Sequence, residues 1–437
     1  MGRKRRSWLF VVIAATALSV SLAACSSSSS STGNSSSAST PAASGSSSAS
    51  TRAVSGSSGS GGCKTPAGPT VDIMAVLEEA PANQVTQPGA RAAIDARIHA
   101  INCAGGLGAA GDKLSVVYCI SNFDPNQVNA CANQAVSNKS IVAVAAGGVA
   151  EGTPNTILAK GGVPNIPQTY YPSQGDSTTF AVVPSGAQLG PGEPVMACKL
   201  GYKKVSLLLI QNPAAAGVPA FDNTALEGFG CPALIRTVQV PETATDVSPQ
   251  VVAAAQGADA IVLAVAPNQA IAAFKDKQQL NIKIPFITNA GTMTAGTIQA
   301  AGSSADGVLV ESQAYLPAND SSTPGAAQFR AEMAAVGDSN LVDGWSQGSW
   351  ITLDLLQTAA KGLATVNRAS LLDALHKISG FDAGGQIPPV NLAVQAPNPA
   401  FPRLFNDQWS PAVVKNGEVV ALQNATLGNF VLVQKTG

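Results

Sequence analysis

The chain has 437 residues, 45% of them apolar and 12% charged, with a formal net charge of −1. No basic stripe with interleaved aromatics runs along it, which excludes a nucleic-acid-binding surface of the usual kind. Its two histidines, His99 and His376, lie far apart inside helical patterns, which leaves a zinc site or a Ser-His-Asp triad little to build on.

Arg3, Lys4, Arg5 and Arg6 precede an apolar run from Trp8 to about Val20, followed by the small residues Ala23 and Ala24. The run is shorter than the ~20 residues of a membrane span, so residues 1–25 read as a secretory signal. Leu22-Ala23-Ala24-Cys25 resembles the bacterial lipobox, which implies cleavage before Cys25 and a lipid on it. Residues 26–62 are mostly serine with Gly, Ala and Thr. Such a segment buries too little surface to offset its conformational entropy and is expected to be a flexible leash. The remaining 375 or so residues exceed what one core usually holds, so two lobes are expected.

From residue 70 the chain alternates short apolar runs with longer amphipathic ones. TVDIMAVL predicts a strand, GARAAIDARIHAINCAGG a helix, KLSVVYC a strand, NQVNACANQAV a helix, SIVAVAAG a strand, NTILAKGG a short helix and VPNIPQT a strand. The rhythm restarts after Pro184. A helix carries PVMACKLG; then come KKVSLLLIQ, a helix to Gly230, LIRTVQV, a helix through VVAAAQG, DAIVLAVAP, a helix to Leu280, IPFITN and GVLVESQAY. Three further helices (AAQFRAEMAAVG, SWITLDLLQTAAKGL, ASLLDALHKI) precede a hairpin turned at Asn416-Gly417. The order predicts an α/β protein with two similar, mostly parallel sheets.

Apart from Cys25 there are six cysteines, an even number that points to disulfides in an exported chain, although six allow 15 connectivities. Order along the chain favours Cys119–Cys131 and Cys198–Cys231, which leaves Cys63 and Cys103 for each other.

Gly106-Leu107-Gly108-Ala109-Ala110-Gly111 is a literal G-x-G-x-x-G, but it closes a helix and precedes a strand, the reverse of a dinucleotide site. Glu78 and Glu79 follow the first strand, where a ligand could use them, but as a pair they read more readily as a solvated loop. With no nucleophile, metal or cofactor motif, binding is favoured over catalysis. Ligands of parallel sheets bind outside the carboxyl ends of the strands. A cleft between two lobes would therefore be lined by Glu78 to Asn83, Gly147 to Glu151 and Gln168 to Tyr171 on one side. On the other it would be lined by Gln211 to Ala214, Ala266 to Asn268 and Asn289 to Thr292.

PGARAAIDARIHAINCAGGL, GDKLSVVYC and DPNQVNACANQAVSNKSIVAVAAG, with the later FDAGGQIPPVNL and RLFNDQWSPAVVKNGEVV, give the chain a resemblance over residues 66 to 424. They resemble the type I periplasmic-binding fold, and within it solute-binding proteins similar to the leucine/isoleucine/valine-binding protein of ABC importers. The resemblance implies two α/β lobes joined by three crossovers, with residues 66–183 and 312–398 in lobe 1 and 184–311 and 399–437 in lobe 2. It also implies closure on a small solute, no catalysis, and lipid anchoring on the extracytoplasmic face.

Where amino-acid-binding members carry hydroxyl side chains, this chain has Gly148, Val149 and Ala150, which offer backbone amides, with Glu151 beside them. Gln168, Thr169 and Tyr170 complete the expected lobe-1 contacts, with Tyr170 as an aromatic wall. Asn83 lies in the first loop, and Asn212, Asn268, Asn289 and Gly291 face it from lobe 2. The second-lobe aromatic and acidic residues of the amino-acid binders are unmatched. The expected function is therefore a lipid-anchored receptor that passes a small polar or amphipathic solute to an ABC permease and its ATPase subunits. A sensing or structural lipoprotein of the same fold is the alternative.

Overall fold

The computed structural model describes residues 62–79, 87–121, 124–147, 153–183, 186–211, 215–312, 317–397, 401–406, 408–422 and 430–431. The first sheet contains β1 (Thr70–Leu77), β2 (Lys113–Ile120), β3 (Ile141–Ala145) and β4 (Asn165–Ile166) in the spatial order β2-β1-β3-β4, all parallel. Helices α1 (Pro88–Cys103), α2 (Pro125–Ser137) and α3 (Thr153–Lys160) connect them. β1 is buried from Ile73 to Leu77 and β3 throughout. Strands covered by helices on both faces read as continuous apolar runs rather than alternating ones. Pro88 opens α1, where its missing N–H costs nothing, and the Asp124 side chain caps α2 by accepting from the Asn126 N–H at 2.8 Å.

α4 (Gly186–Lys199) begins the second unit, followed by β5 (Val205–Gln211), α5 (Val218–Gly228), β6 (Arg236–Pro241), α6 (Ser248–Ala255), β7 (Ala260–Ala264), α7 (Pro267–Gln279), β8 (Phe286–Asn289), α8 (Ala295–Ala301) and β9 (Leu309–Glu311). The chain then returns with α9 (Pro324–Ala335), α10 (Gly344–Ala360), α11 (Arg368–Leu375) and the small pair β10 (Ser379–Phe381) and β11 (Val390–Asn391). It ends with β12 (Gln408–Trp409), β13 (Pro411–Lys415), β14 (Glu418–Ala421) and β15 (Phe430–Val431). The second sheet has the order β14-β13-β9-β8-β7-β5-β6. Its core strands are parallel, but β13 runs antiparallel to both β9 and β14. The β13–β14 hairpin turns at Asn416 and Gly417, with φ of 52° and 79°, the left-handed pair that matches strand twist.

Two expected strands shrink. In VPNIPQT only Asn165 and Ile166 pair, because Pro164 and Pro167 on either side cannot donate to a ladder. GVLVESQAY pairs only from Leu309 to Glu311. α8, β10 and β11 lie where no element was expected, and α4 starts eight residues ahead of PVMACKLG. The G-x-G-x-x-G segment turns out of α1 into β2, with Gly106, Gly108 and Gly111 at φ of 91°, 65° and 69°. It opens no helix.

The chain passes between the two sheets three times. The first and third passages lie side by side: the Ala181 N–H donates to Arg403 O at 3.1 Å and the Phe405 N–H to Ala181 O at 2.8 Å. The second meets the chain before β13, where the Ser312 N–H donates to Ser410 O at 3.1 Å. Disulfides join Cys63 to Cys103, Cys119 to Cys131 and Cys198 to Cys231. They tie the segment before β1 to the end of α1, β2 to α2, and α4 to the turn after α5.

One buried cation organises lobe 1. Arg97 of α1 donates from Nη1 to Glu332 of α9 at 2.7 Å, and from Nη2 to Asp354 and Gln357 of α10 at 2.5 and 2.7 Å. Its guanidinium centre lies 4.4 Å from the Trp350 ring, whose Nε1–H donates to Glu332 at 2.6 Å. The charge is almost fully buried, so its geometry decides whether burial stabilises or costs. Replacing Arg97 with Met would leave two carboxylates without their cation. The loss should be about 3 kcal/mol in urea unfolding, and a loss near zero would show that the cluster relaxes into water. Peptide mapping without reduction should recover the three crosslinked pairs.

Candidate functional site

The start of α1, the first turn of α7 and the loop after β8 come together with the segment that leads into α10. A groove of about 260 Å³ opens there. Pro88 at the start of α1 and Leu341 and Asp343 ahead of α10 line it from lobe 1. Ile271, Gly291 and Thr294 line it from lobe 2. The lining mixes apolar and polar surface in similar measure, and Asp343 is the one ionisable side chain among the described lining residues.

Asp343 owes its position to local sequence. It is the N-cap of α10: its Oδ1 accepts from the Ser346 N–H at 2.9 Å, and the Ser346 hydroxyl accepts from the Asp343 N–H at 2.8 Å. Its Oδ2 accepts from the Ala295 N–H of α8, at 3.4 Å, across the boundary. Burial pushes the carboxyl up to about 6, and the N–H donors from Ser346 and Ala295 oppose that rise. Two residues along, the half-buried Trp345 donates its indole N–H to Gly291 O at 3.3 Å.

Among the residues expected in the cleft, Asn83, Gly148, Val149, Ala150, Glu151 and Asn212 lie outside the described residues, as does Cys25. Gly291 lies in the groove lining and accepts from Trp345. Asn268 is exposed on the first turn of α7. Asn289 is half-buried, with its Nδ2 donating to Glu193 at 2.9 Å and its Oδ1 accepting from the Thr292 N–H at 3.0 Å.

Lobe 1 differs from the expectation. Gln168 is buried and braces α10, donating to Trp345 O at 2.8 Å, with its Oε1 3.2 Å from the Ser349 hydroxyl oxygen. Gly348 must be glycine beside it, because a Cβ there would come within 2.6 Å of the Gln168 amide. Thr169 is half-buried. Tyr170 is no wall of an open cleft: it is wholly buried with Ala181 and Leu404, against Phe401, beneath the first and third passages. The passages need a core of their own, and Tyr170 supplies it. Of the two glutamates after β1, Glu79 is bound bidentately by Arg91 at 2.5 and 2.9 Å, and Glu78 is buried and accepts from the Ser121 hydroxyl at 2.5 Å.

Below Asn289 lies a group that the sequence pattern hides. Glu193 of α4, Asp222 of α5 and Glu311 at the end of β9 are all buried. Among the described residues neither carboxyl oxygen of Glu311 or Asp222 has a hydrogen-bond partner, and a Cβ on Gly192 would run into the Glu311 carboxyl. Burial, and then mutual repulsion, push Glu193 and Glu311 well above the usual carboxylate range, while burial pushes Asp222 up to about 7. Among the described residues, no cluster of His, Cys, Asp and Glu is arranged to hold a metal ion.

A model of the periplasmic binding protein family matches residues 80–395, and the chain belongs to that family. Its members are substrate-binding proteins of the extracytoplasmic space rather than enzymes. No curated protein matches the chain. Among solved structures, a branched-chain amino acid ABC transporter protein of Thermus thermophilus with bound valine is 14% identical. It covers 84% of this chain and 98% of its own, with a TM-score of 0.66. A solute-binding protein of R. palustris in complex with 4-hydroxybenzoate is 16% identical, covers 82% and 97%, and has a TM-score of 0.63. A fatty acid ABC transporter substrate-binding protein of Thermomonospora curvata is 14% identical, covers 86% and 98%, and has a TM-score of 0.66. At such identities the likeness is one of fold. Among the described residues no helix is long and apolar enough to cross a membrane.

The buried acids of lobe 2 give a pH dependence of definite sign. The folded chain keeps their protons at pH values where the unfolded chain has lost them, so stability falls as pH rises above the ordinary carboxylate value of about 4. The Asp222 contribution to this fall levels off once pH passes about 7. Glu311→Gln keeps the shape and removes one charge. Urea unfolding between pH 5 and 8 should show a shallower decline for this variant and a higher midpoint at pH 8; a wild-type slope would contradict the assignment.

Proposed function

We propose that the chain is the lipid-anchored solute receptor of an ABC importer, held on the extracytoplasmic face through Cys25. It takes a small amphipathic solute between its lobes and passes it to a permease with ATPase subunits. The observation that carries this reading is the groove, to which both lobes contribute residues. Only a ligand that touches both lobes favours the closed arrangement over the open one. The apolar lining around Ile271 and Leu341 suits a hydrocarbon or aromatic body. On this reading Gly291 beside the groove, with Asn268 and Asn289 of lobe 2, gives the solute polar contacts, and Asn83, Gly148, Val149, Ala150, Glu151 and Asn212 are proposed to add others. The relatives bound to valine and to 4-hydroxybenzoate support a solute of that size and mixed character.

Thermal shift against amino acids, amides and aromatic acids finds the solute, since a ligand of the folded state raises stability by RT ln(1 + [L]/Kd). Gly296, on the first turn of α8, then blocks the groove on demand. Its added Cβ would meet nothing closer than the Thr294 hydroxyl at 3.8 Å. Gly296→Phe should therefore leave the unliganded melting temperature nearly unchanged and weaken binding about tenfold or more. Undiminished binding would place the solute elsewhere. Cys25→Ser should release the protein into the medium, and a deletion strain should lose uptake of the same solute; retained uptake would favour a sensing role.

A further inference from the structure

The first turn of α10 meets the loop between β8 and α8 through two complementary contacts. Asp343 brings an acceptor to the Ala295 N–H, and Trp345 brings a donor to Gly291 O. The two partners, Gly291 on the loop and Ala295 at the start of α8, are backbone groups four residues apart, one an acceptor and the other a donor. We propose that Asp343 and Trp345 form a latch that holds lobe 1 to lobe 2 before any solute binds, and that they act as positioning residues for closure.

The arrangement is built rather than incidental. Gly89 of α1 leaves the space in which the Asp343 carboxyl sits; a Cβ there would lie 2.7 Å from Oδ1. Gln168 fixes the turn from below through Trp345 O and Ser349, and the Ser349 hydroxyl donates to Ala146 O at 2.8 Å at the end of β3. The rest of α10 is buried along most of its length. A rigid support of this kind lets two modest contacts bias an equilibrium between lobe arrangements. A latch that forms ahead of the solute would raise the fraction of chains already competent to hold it, and the apparent affinity would rise in proportion.

The inference rests on the reading of the two lobes as a closing pair, not on the identity of the solute. Its test therefore uses the unliganded full chain. Trp345→Phe keeps an aromatic ring but removes the pyrrole half of the indole with its N–H. Asp343→Asn keeps the helix cap, since asparagine caps as well as aspartate, and an amide nitrogen turned toward the Ala295 N–H would set donor against donor. Amide hydrogen exchange followed by mass spectrometry should show residues 289–297 exchanging about tenfold faster in each variant, as expected for the loss of one hydrogen bond. Residues 347–360 of α10 should exchange as in the wild type. Unchanged exchange over 289–297 in both variants overturns the latch. So does equal acceleration in α10, which would mark plain loss of packing. A solute screen that finds no ligand removes the transport reading and leaves the exchange result where it stands.

Discussion

Arg97 is the point on which lobe 1 turns. It joins three helices that are far apart in sequence, and its partners Glu332, Asp354 and Gln357 lie on segments that return only after the parallel strands of lobe 2 have been built. Both Nη groups of this buried guanidinium find acceptors on α9 and α10, so those helices are held to α1 in one register. That register sets where α10 begins, and with it where Asp343 and Trp345 meet lobe 2. A charge cluster at the back of one lobe thus fixes the geometry at its front.

The lobes handle buried charge in opposite ways. Lobe 1 surrounds a cation with carboxylates, whereas lobe 2 gathers Glu193, Asp222 and Glu311 with no cationic partner among the described residues. Protons take the place of that partner, so acidity acts on lobe 2. Asn289 links this group to the groove, because its amide binds Glu193 on one side and orders the following turn through Thr292 on the other.

Much of the fold was legible because the strands are buried on both faces and their apolar runs are bounded by clear stops, as TVDIMAVL and SIVAVAAG show. The site was legible only in outline. Expecting loops at the strand ends picked out Gly291, which borders the groove, but also Asn289, which its lining does not include, and Tyr170, which the passages between lobes claim for packing. The start of α10 was missed because Gly344 and Gly348 weaken the helical pattern there. The signal that marks it is the cap pair Asp343 and Ser346. Glu193 and Asp222 gave no signal, since carboxylates on helices ordinarily face water, and Glu311 ends the apolar run GVLVE that carries β9.

The Cys63–Cys103 bond has a mechanical consequence. Cys103 ends α1, a helix of 16 residues and so about 24 Å long, whose other end, Pro88, borders the groove. A pull on the chain ahead of Cys63 would otherwise peel β1 from the middle of its sheet, breaking ladder bonds one at a time. The covalent link passes much of that force into α1 at the pole remote from the groove. There it acts as shear along a buried helix that Arg97 already fastens to its neighbours. The domain can be held from its N-terminal side under load without prising apart the strand on which lobe 1 is built.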